Sequence, residues 1–169
     1  MTENYIDVFL NTVLPGLRIA VIGDMMVDRY VFGRVERISP EAPVPVNKVE
    51  RVSSVLGGAA NVAANLANLD CHVMAAGLVG DDDNAGLLRQ LLHTSAIDDS
   101  GLIVRPGHAT TTKMRVLGSR QQMVRLDFEE VTPLTTAEED ALAAWLHTQI
   151  QHGLDGWHKI GRASCRERV

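Results

Sequence analysis

With 169 residues, 46% of them hydrophobic and 22% charged, the chain can bury one real core and has the composition of an ordinary globular protein, not a disordered or fibrous one. A formal net charge of -5, with no basic stripe carrying interleaved aromatics, excludes nucleic-acid binding. The first residues lack the basic, apolar and small-residue order of a leader, and no apolar run approaches bilayer length, which predicts a cytoplasmic protein with no membrane partner.

Tyr5, Val8, Phe9, Val13 and Leu14 recur at helical spacing until Pro15-Gly16 stops them, so a short helix leads in. Residues 17–22 are an apolar run ending in Gly23-Asp24, the pattern of a fully buried parallel strand whose carboxyl end is a natural ligand position. Alternation in Tyr30-Val31-Phe32-Gly33-Arg34-Val35 then gives way to Pro40, Pro43 and Pro45, and resumes in Val46-Asn47-Lys48-Val49. Prolines lack a ladder donor, so residues 30–54 are expected to be edge strands standing apart from the main sheet, as a β lid. Gly57-Gly58 opens an Ala- and Leu-rich helix through residue 69, and residues 72–77 follow as a second buried strand. The order strand, lid, helix, strand is that of an α/β domain.

After Gly80-Asp81-Asp82-Asp83, residues 85–93 read as an amphipathic helix with Leu87, Leu88, Leu91 and Leu92 inward. Residues 112–117 and 123–128 are strand-like runs separated by Gly118-Ser119-Arg120-Gln121-Gln122, which predicts a hairpin. Thr135 or Thr136 with Glu138 or Glu139 starts a further helix by a capping-box pattern, ending near residue 152. From Trp157 the pattern stops: Lys159, Arg162, Arg166 and Arg168 follow with no apolar period. The expectation is one domain over residues 1–156 and a non-native tail over 157–169, with the reading frame lost near Gly156 at a cloning or assembly junction.

The chemistry-bearing stretch is Gly57-Gly58-Ala59-Ala60-Asn61-Val62-Ala63. Paired glycines let a backbone approach a ligand and a helix N-terminus offers free N–H groups, so polar or anionic binding and close helix-on-strand packing both fit. It is not a G-x-G-x-x-G, and Gly23-Asp24-Met25-Met26 lacks a glycine fingerprint, which argues against a nicotinamide oxidoreductase. Asp24 and Asp28 could share a ligand if the chain turns after the first strand; for Asp28, an N-cap or a salt bridge to Arg29 or Arg34 is the alternative. Asn61 offers a polyol both a donor and an acceptor. Cys71 and Cys165 show no C-x-x-C or metal-ligand spacing, and His72, His93, His108 and His147 form no triad, so no metal site is expected.

The Gly57 to Ala63 stretch, with Gly80 further on, is similar to the first signature of PfkB carbohydrate kinases; Asp70 stands where that signature usually has Gly or Ser. Gly23-Asp24-Met25-Met26-Val27-Asp28-Arg29-Tyr30, Arg37-Ile38-Ser39-Pro40-Glu41-Ala42-Pro43-Val44-Pro45-Val46, Thr112-Lys113-Met114-Arg115-Val116 and Arg125-Leu126-Asp127-Phe128-Glu129 resemble the heptose 7-phosphate kinase branch, which also occurs as the N-terminal part of bifunctional kinase/adenylyltransferases. The resemblance covers about residues 17–151 and implies an incomplete ribokinase-like doubly wound α/β sheet with a β lid.

It implies that Asp24 accepts sugar hydroxyls, with Asp28, Gly57, Gly58 and Asn61 beside it. A sugar phosphate needs local positive charge, and Lys113, Arg115, Arg120 and Arg125 lie on the hairpin. Lys113 and Arg115 share a face by alternation; Lys113 and Arg120 are taken as the phosphate candidates. ATP and Mg2+ are implied for the complete enzyme, and homodimerisation through the lid would cover Val31, Val35, Val44 and Val46. The family's catalytic base lies in a Gly-Ala-Gly-Asp turn, and no such run occurs here, so the 169 residues are expected not to transfer phosphate themselves. A non-catalytic sugar-binding or regulatory module of the same fold is the other expectation.

Overall fold

The computed structural model describes residues 5–119 and 121–160. In chain order these form α1 (Tyr5–Val8), continued by a π-helical stretch Phe9–Val13, then β1 (Arg18–Gly23), β2 (Met25–Ile38), β3 (Pro45–Gly57), α2 (Gly58–Ala67), β4 (His72–Val79), α3 (Asp83–Thr94), β5 (Asp98–Val104), β6 (Thr112–Gly118), β7 (Gln121–Phe128), α4 (Thr136–Gln151) and β8 (Gly156–Ile160). They divide into two sheets of different character.

The first sheet has the order β5-β4-β1-β8, with every pairing parallel. Parallel strands are covered on both faces, which is why β1 and β4 are near-continuous apolar runs. On one face Val21, Val73, Ala75 and Val79 pack with Ala59, Ala60 and Ala63 of α2 and Leu88 and Leu92 of α3 in one buried cluster. On the other, α4 lays Trp145 against Gly101 of β5, whose neighbour Leu102 points into the first cluster. Helices on both faces of a parallel sheet make the doubly wound arrangement expected from the sequence. The caps are local: Asp82 accepts from the Ala85 N–H at the start of α3, and Thr135 with Glu138 completes a capping box on α4.

Asp70, at the turn from α2 into β4, adopts φ 61°, and its carbonyl accepts from the Gly16 N–H. That left-handed conformation favours glycine and tolerates Asp, which explains physically why a Gly-preferring signature position can hold this residue.

The second sheet is the lid, with order β3-β2-β6-β7. β2 and β3 are antiparallel, β2 and β6 parallel, and β6 and β7 antiparallel. The expected lid is therefore real but larger than residues 30–54: β2 begins at Met25, β3 runs to Gly57, and the hairpin joins them. One detail is corrected. β3 is an edge strand, but β2 is interior, because Pro40 and Pro43 fall in the connection and Pro45 takes the first position of β3, leaving β2 free of prolines.

Two strands were not anticipated. β5 opens on Asp98-Asp99-Ser100, and β8, Gly-Trp-His-Lys-Ile, follows the point where the apolar pattern stops, yet both pair over several residues with β4 and β1. Described structure therefore continues past Gly156, through Ile160; the rest of the expected tail lies outside the described residues. Cys71 is buried, and burial first, with Asp70 second, pushes its thiol pKa up, as suits an inert core thiol. Among the described residues no helix is long and apolar enough to cross a membrane.

Candidate functional site

The site forms where the lid leaves the parallel sheet. Asp24 is the single residue between β1 and β2, and its carbonyl accepts from the Ala59 N–H at 3.1 Å, tying the end of β1 to the first turn of α2. Gly57 is the N-cap of α2 and offers no side-chain cap, so the first turn of that helix presents backbone N–H groups. A bridge between Met25 and Gly58 closes the same corner.

The two glycines are needed for different reasons. Gly58 sits at φ 54°, and a Cβ there would stand 2.6 Å from the Asp24 carbonyl oxygen. Gly57 has ordinary extended backbone but no room: a Cβ would meet the Asp28 carboxylate at 2.9 Å. Gly57 therefore leaves the space that Asp28 fills.

Alternation along β2 sends Val27 into the core and Asp28 and Tyr30 to the opposite face. On that face Asp28 lies in register with Lys113 of β6, and Tyr30 with Arg115. Arg115 Nη1 donates to Asp28 Oδ1 at 2.7 Å, and its guanidinium lies 5.4 Å from the centre of the Tyr30 ring. The side chains of Arg115 and Asp28 are 23% and 20% exposed. The hydrogen bond to Asp28 pushes the Arg115 pKa up further, so its charge is permanent. On β7, Lys113 faces Asp127 and Arg115 faces Arg125; Arg125 binds its own neighbour Asp127 through Nε and Nη2.

The structure thus brings Asp24, Asp28, Gly57 and Gly58 to one corner, with Lys113 on the strand beside Asp28. Asn61 is one turn into α2 and exposed. Arg120 lies outside the described residues. For Asp28, neither sequence alternative is what the structure contains: its partner is Arg115, not Arg29 or Arg34. Arg29 reaches instead to Ser54 and Asn84, and Arg34 pairs with Glu50. Arg115 is the residue that sequence reasoning left unselected; its shared face with Lys113 was visible, but the parallel pairing of β6 with β2 was not.

A second polar cluster secures the base of the β6–β7 hairpin. Arg105 grips Glu138 through Nε and Nη2 and also donates to Thr132 and the Pro133 carbonyl. The buried His108 places Nδ1 3.1 Å from Glu130, and Gly80 donates to Thr110 Oγ1. The Arg105 hydrogen bonds, with those of the Thr135 backbone, hold the Glu138 carboxyl at a pKa of about 2.

Comparison with known proteins fits this architecture. The pfkB family carbohydrate kinase profile matches residues 17–152. The chain belongs to the pfkB family of carbohydrate kinases. Among curated relatives, this pfkB-family chain is 48% identical over 139 residues to the Bifunctional protein HldE of Magnetococcus marinus, covering 82% of the chain and 28% of that protein. It is 42% identical over 149 residues to the protein of the same name from Desulfatibacillum aliphaticivorans, covering 88% of the chain and 30% of that protein. The chain thus spans less than a third of the length of these relatives.

Among solved structures, a putative sugar kinase from Clostridium perfringens superposes with a TM-score of 0.60 at 14% identity, over 89% of this chain and 51% of that one. A carbohydrate kinase from Agrobacterium tumefaciens superposes with a TM-score of 0.55 at 20% identity, over 66% and 35%. A ribokinase from Cryptococcus neoformans, in complex with ADP, gives 0.50 at 17% identity, over 72% and 38%. These likenesses show the fold, a ribokinase-like carbohydrate-kinase architecture. The family is one of carbohydrate kinases. Among the described residues no group of three or more His, Cys, Asp or Glu could hold a metal ion.

Proposed function

We propose that this chain is the sugar-binding part of an ATP-dependent kinase that phosphorylates heptose 7-phosphate at C1, in the route to ADP-heptose. The observation that carries this reading is the polar face of the lid sheet, where Asp28, Lys113 and Arg115 lie in adjacent register positions and run into the Gly57-Gly58 corner. Carboxylates suit hydroxyl groups and the cations suit a phosphate, so one face meets both ends of a phosphorylated sugar. The identity of 41 to 48% to proteins named Bifunctional protein HldE supports heptose as the sugar. Asp24, Asp28, Gly57, Gly58 and Asn61 would take the polyol, and Lys113 and Arg120 the phosphate.

ATP and Mg2+ would act in the complete enzyme, the nucleotide supplying the transferred phosphoryl group. This chain's own residues bind and orient the acceptor. The sequence holds no Gly-Ala-Gly-Asp run, so the base that positions the acceptor hydroxyl is not supplied by these residues. A cytoplasmic location and homodimerisation through the lid belong to the same proposal. Val44, Val49 and Val52 of the lid are 52%, 53% and 55% exposed, whereas Val31, Val35 and Val46 are half-buried. Sedimentation of an intact relative as a strict monomer at micromolar concentration would refute the dimer.

The test has two arms: calorimetric titration of the 169-residue chain with heptose 7-phosphate, and ATP-dependent formation of the 1,7-bisphosphate. The second compares the chain alone with the chain joined to the remaining kinase portion of a relative. Binding by the chain, no turnover alone and turnover when joined is the expected pattern. Turnover by the chain alone would show that the base has been misplaced; binding without turnover in either form would favour the non-catalytic sugar-binding module. No binding and no turnover in either form would sink the kinase reading.

A further inference from the structure

We propose that Arg115 makes this site select a phosphorylated sugar over the same sugar without phosphate, gripping the phosphate with the guanidinium donors that Asp28 leaves over. This rests on the sugar-kinase reading and adds to it a residue and a selectivity.

Three observations converge on Arg115. It is on the interior strand β6, in register beside Tyr30 and bonded to Asp28, so it stands closer to the Gly57 corner than any cation of β7. Its guanidinium has five N–H donors, and its hydrogen bonding to described residues uses Nη1 alone, on Asp28 Oδ1. Asp28 and the Tyr30 ring fix the guanidinium in place, so little rotamer freedom remains to be lost when an anion docks.

The neighbouring charges point the same way. The polar face carries Lys113, Arg115 and Arg125 against Asp28 and Asp127, with Arg51 over the Phe32 ring as a further cation, so positive charge is in surplus. Arg125 does not compete for the role, because Asp127 already takes its Nε and Nη2 at 2.9 and 3.0 Å and its side chain is 50% exposed. Lys113 adds a point charge beside Asp28 without a fork that could clasp two phosphate oxygens. A sugar lacking the phosphate meets an Arg115 that is already paired with Asp28, so it suffers no penalty for an orphaned charge and gains nothing from the surplus.

The experiment titrates the 169-residue chain and its Arg115→Met, Arg115→Lys and Asp28→Asn variants with heptose 7-phosphate and with unphosphorylated heptose. Hydrogen exchange across β6 and β2 confirms in each variant that the lid sheet is formed. For Arg115→Met, affinity for the phosphorylated sugar is expected to fall about 10- to 100-fold, the loss of a charge-assisted hydrogen bond, while that for the plain sugar moves by less than about threefold. Arg115→Lys keeps the charge and should retain part of the preference. Asp28→Asn should weaken both sugars together. Equal losses for both sugars in Arg115→Met would mean that Arg115 only positions Asp28, and would overturn the proposal. A native chain that binds both sugars equally would overturn it too, with the sugar-kinase reading intact. A native chain that binds neither would remove that reading and this proposal together.

Discussion

In the parallel sheet Ala20, Val21, Ala75, Ala76 and Val79 have no exposure at all, whereas in the lid sheet the large side chains exposed by 1% or less, Met25, Val27 and Thr112, lie at its root. Further out the apolar side chains of the lid face solvent: Val52, Val124, Leu126 and Phe128 are 42% to 55% exposed. Both sheets have four paired strands, and each carries register shifts, so strand number does not explain the difference. It lies in what covers the faces. The parallel sheet is covered by α2 and α3 on one side and touched by Trp145 of α4 on the other, while the lid extends from one end. The stability of the fold therefore resides in the parallel sheet, and the proposed site, with Asp28, Lys113 and Arg115, lies where burial is incomplete.

The sharpest way to break this contrast is inside the parallel sheet's core. Leu88 is fully buried against the strands, and Leu88→Ala should lower unfolding stability by about 2–5 kcal/mol in urea titration. A loss below about 1 kcal/mol would mean that the cluster is not where stability lies. Next comes the corner joining the two sheets. Gly58→Ala forces an L-residue into a left-handed conformation, worth about 1–2 kcal/mol, and drives a methyl group toward the Asp24 carbonyl. Thermal melting should register that loss and calorimetry a weaker response to heptose 7-phosphate; unchanged binding would separate the glycine pair from the site.

The clasp at the base of the hairpin gives a smaller, pH-dependent effect. The Glu138 carboxyl is held at about 2, below its ordinary value, by the Arg105 hydrogen bond first and the Thr135 backbone second. A depressed folded-state pKa contributes stability that is fully present above the unfolded value, about 4.3, and is lost as pH falls toward about 2. Glu138→Gln should therefore flatten the melting temperature against pH between those limits and leave its slope above pH 5 unchanged. An unaltered acid slope would show that the clasp is not coupled to folding. The smallest effect belongs to the lid surface: the Arg34–Glu50 pair, 60% and 45% exposed, should show a coupling energy of at most about 1 kcal/mol in a double-mutant cycle. A larger value would mean that the lid tip is covered in solution.

Legibility in the sequence followed the same division. β1, β4, α2 and α3 could be read because parallel strands and their helices leave apolar periods, and Pro40, Pro43 and Pro45 marked the lid by what they forbid. β5 was hidden because a strand at the edge of the sheet tolerates Asp98-Asp99-Ser100, and β8 because Trp157, His158 and Lys159 are exposed and carry no apolar pattern. At the site, Asp24, Gly57 and Gly58 were visible as local motifs. The Asp28–Arg115 pair was not, since its partners are 87 residues apart and meet only through a parallel pairing that no local signal specifies.

The joint between the sheets has a mechanical consequence. β2 leaves the parallel sheet across a single residue, Asp24, and β3 returns into α2 across Gly57-Gly58. β2 has 14 residues, an arm of about 46 Å at roughly 3.3 Å per residue, fixed at one end. By simple leverage a turn of about 5° at that fulcrum carries its far end about 4 Å, on the rise per residue just used. The residues proposed to meet the sugar thus also lie at the foot of that arm, where a fraction of an ångström of displacement at Asp24 or Gly58 would be magnified several-fold at the tip.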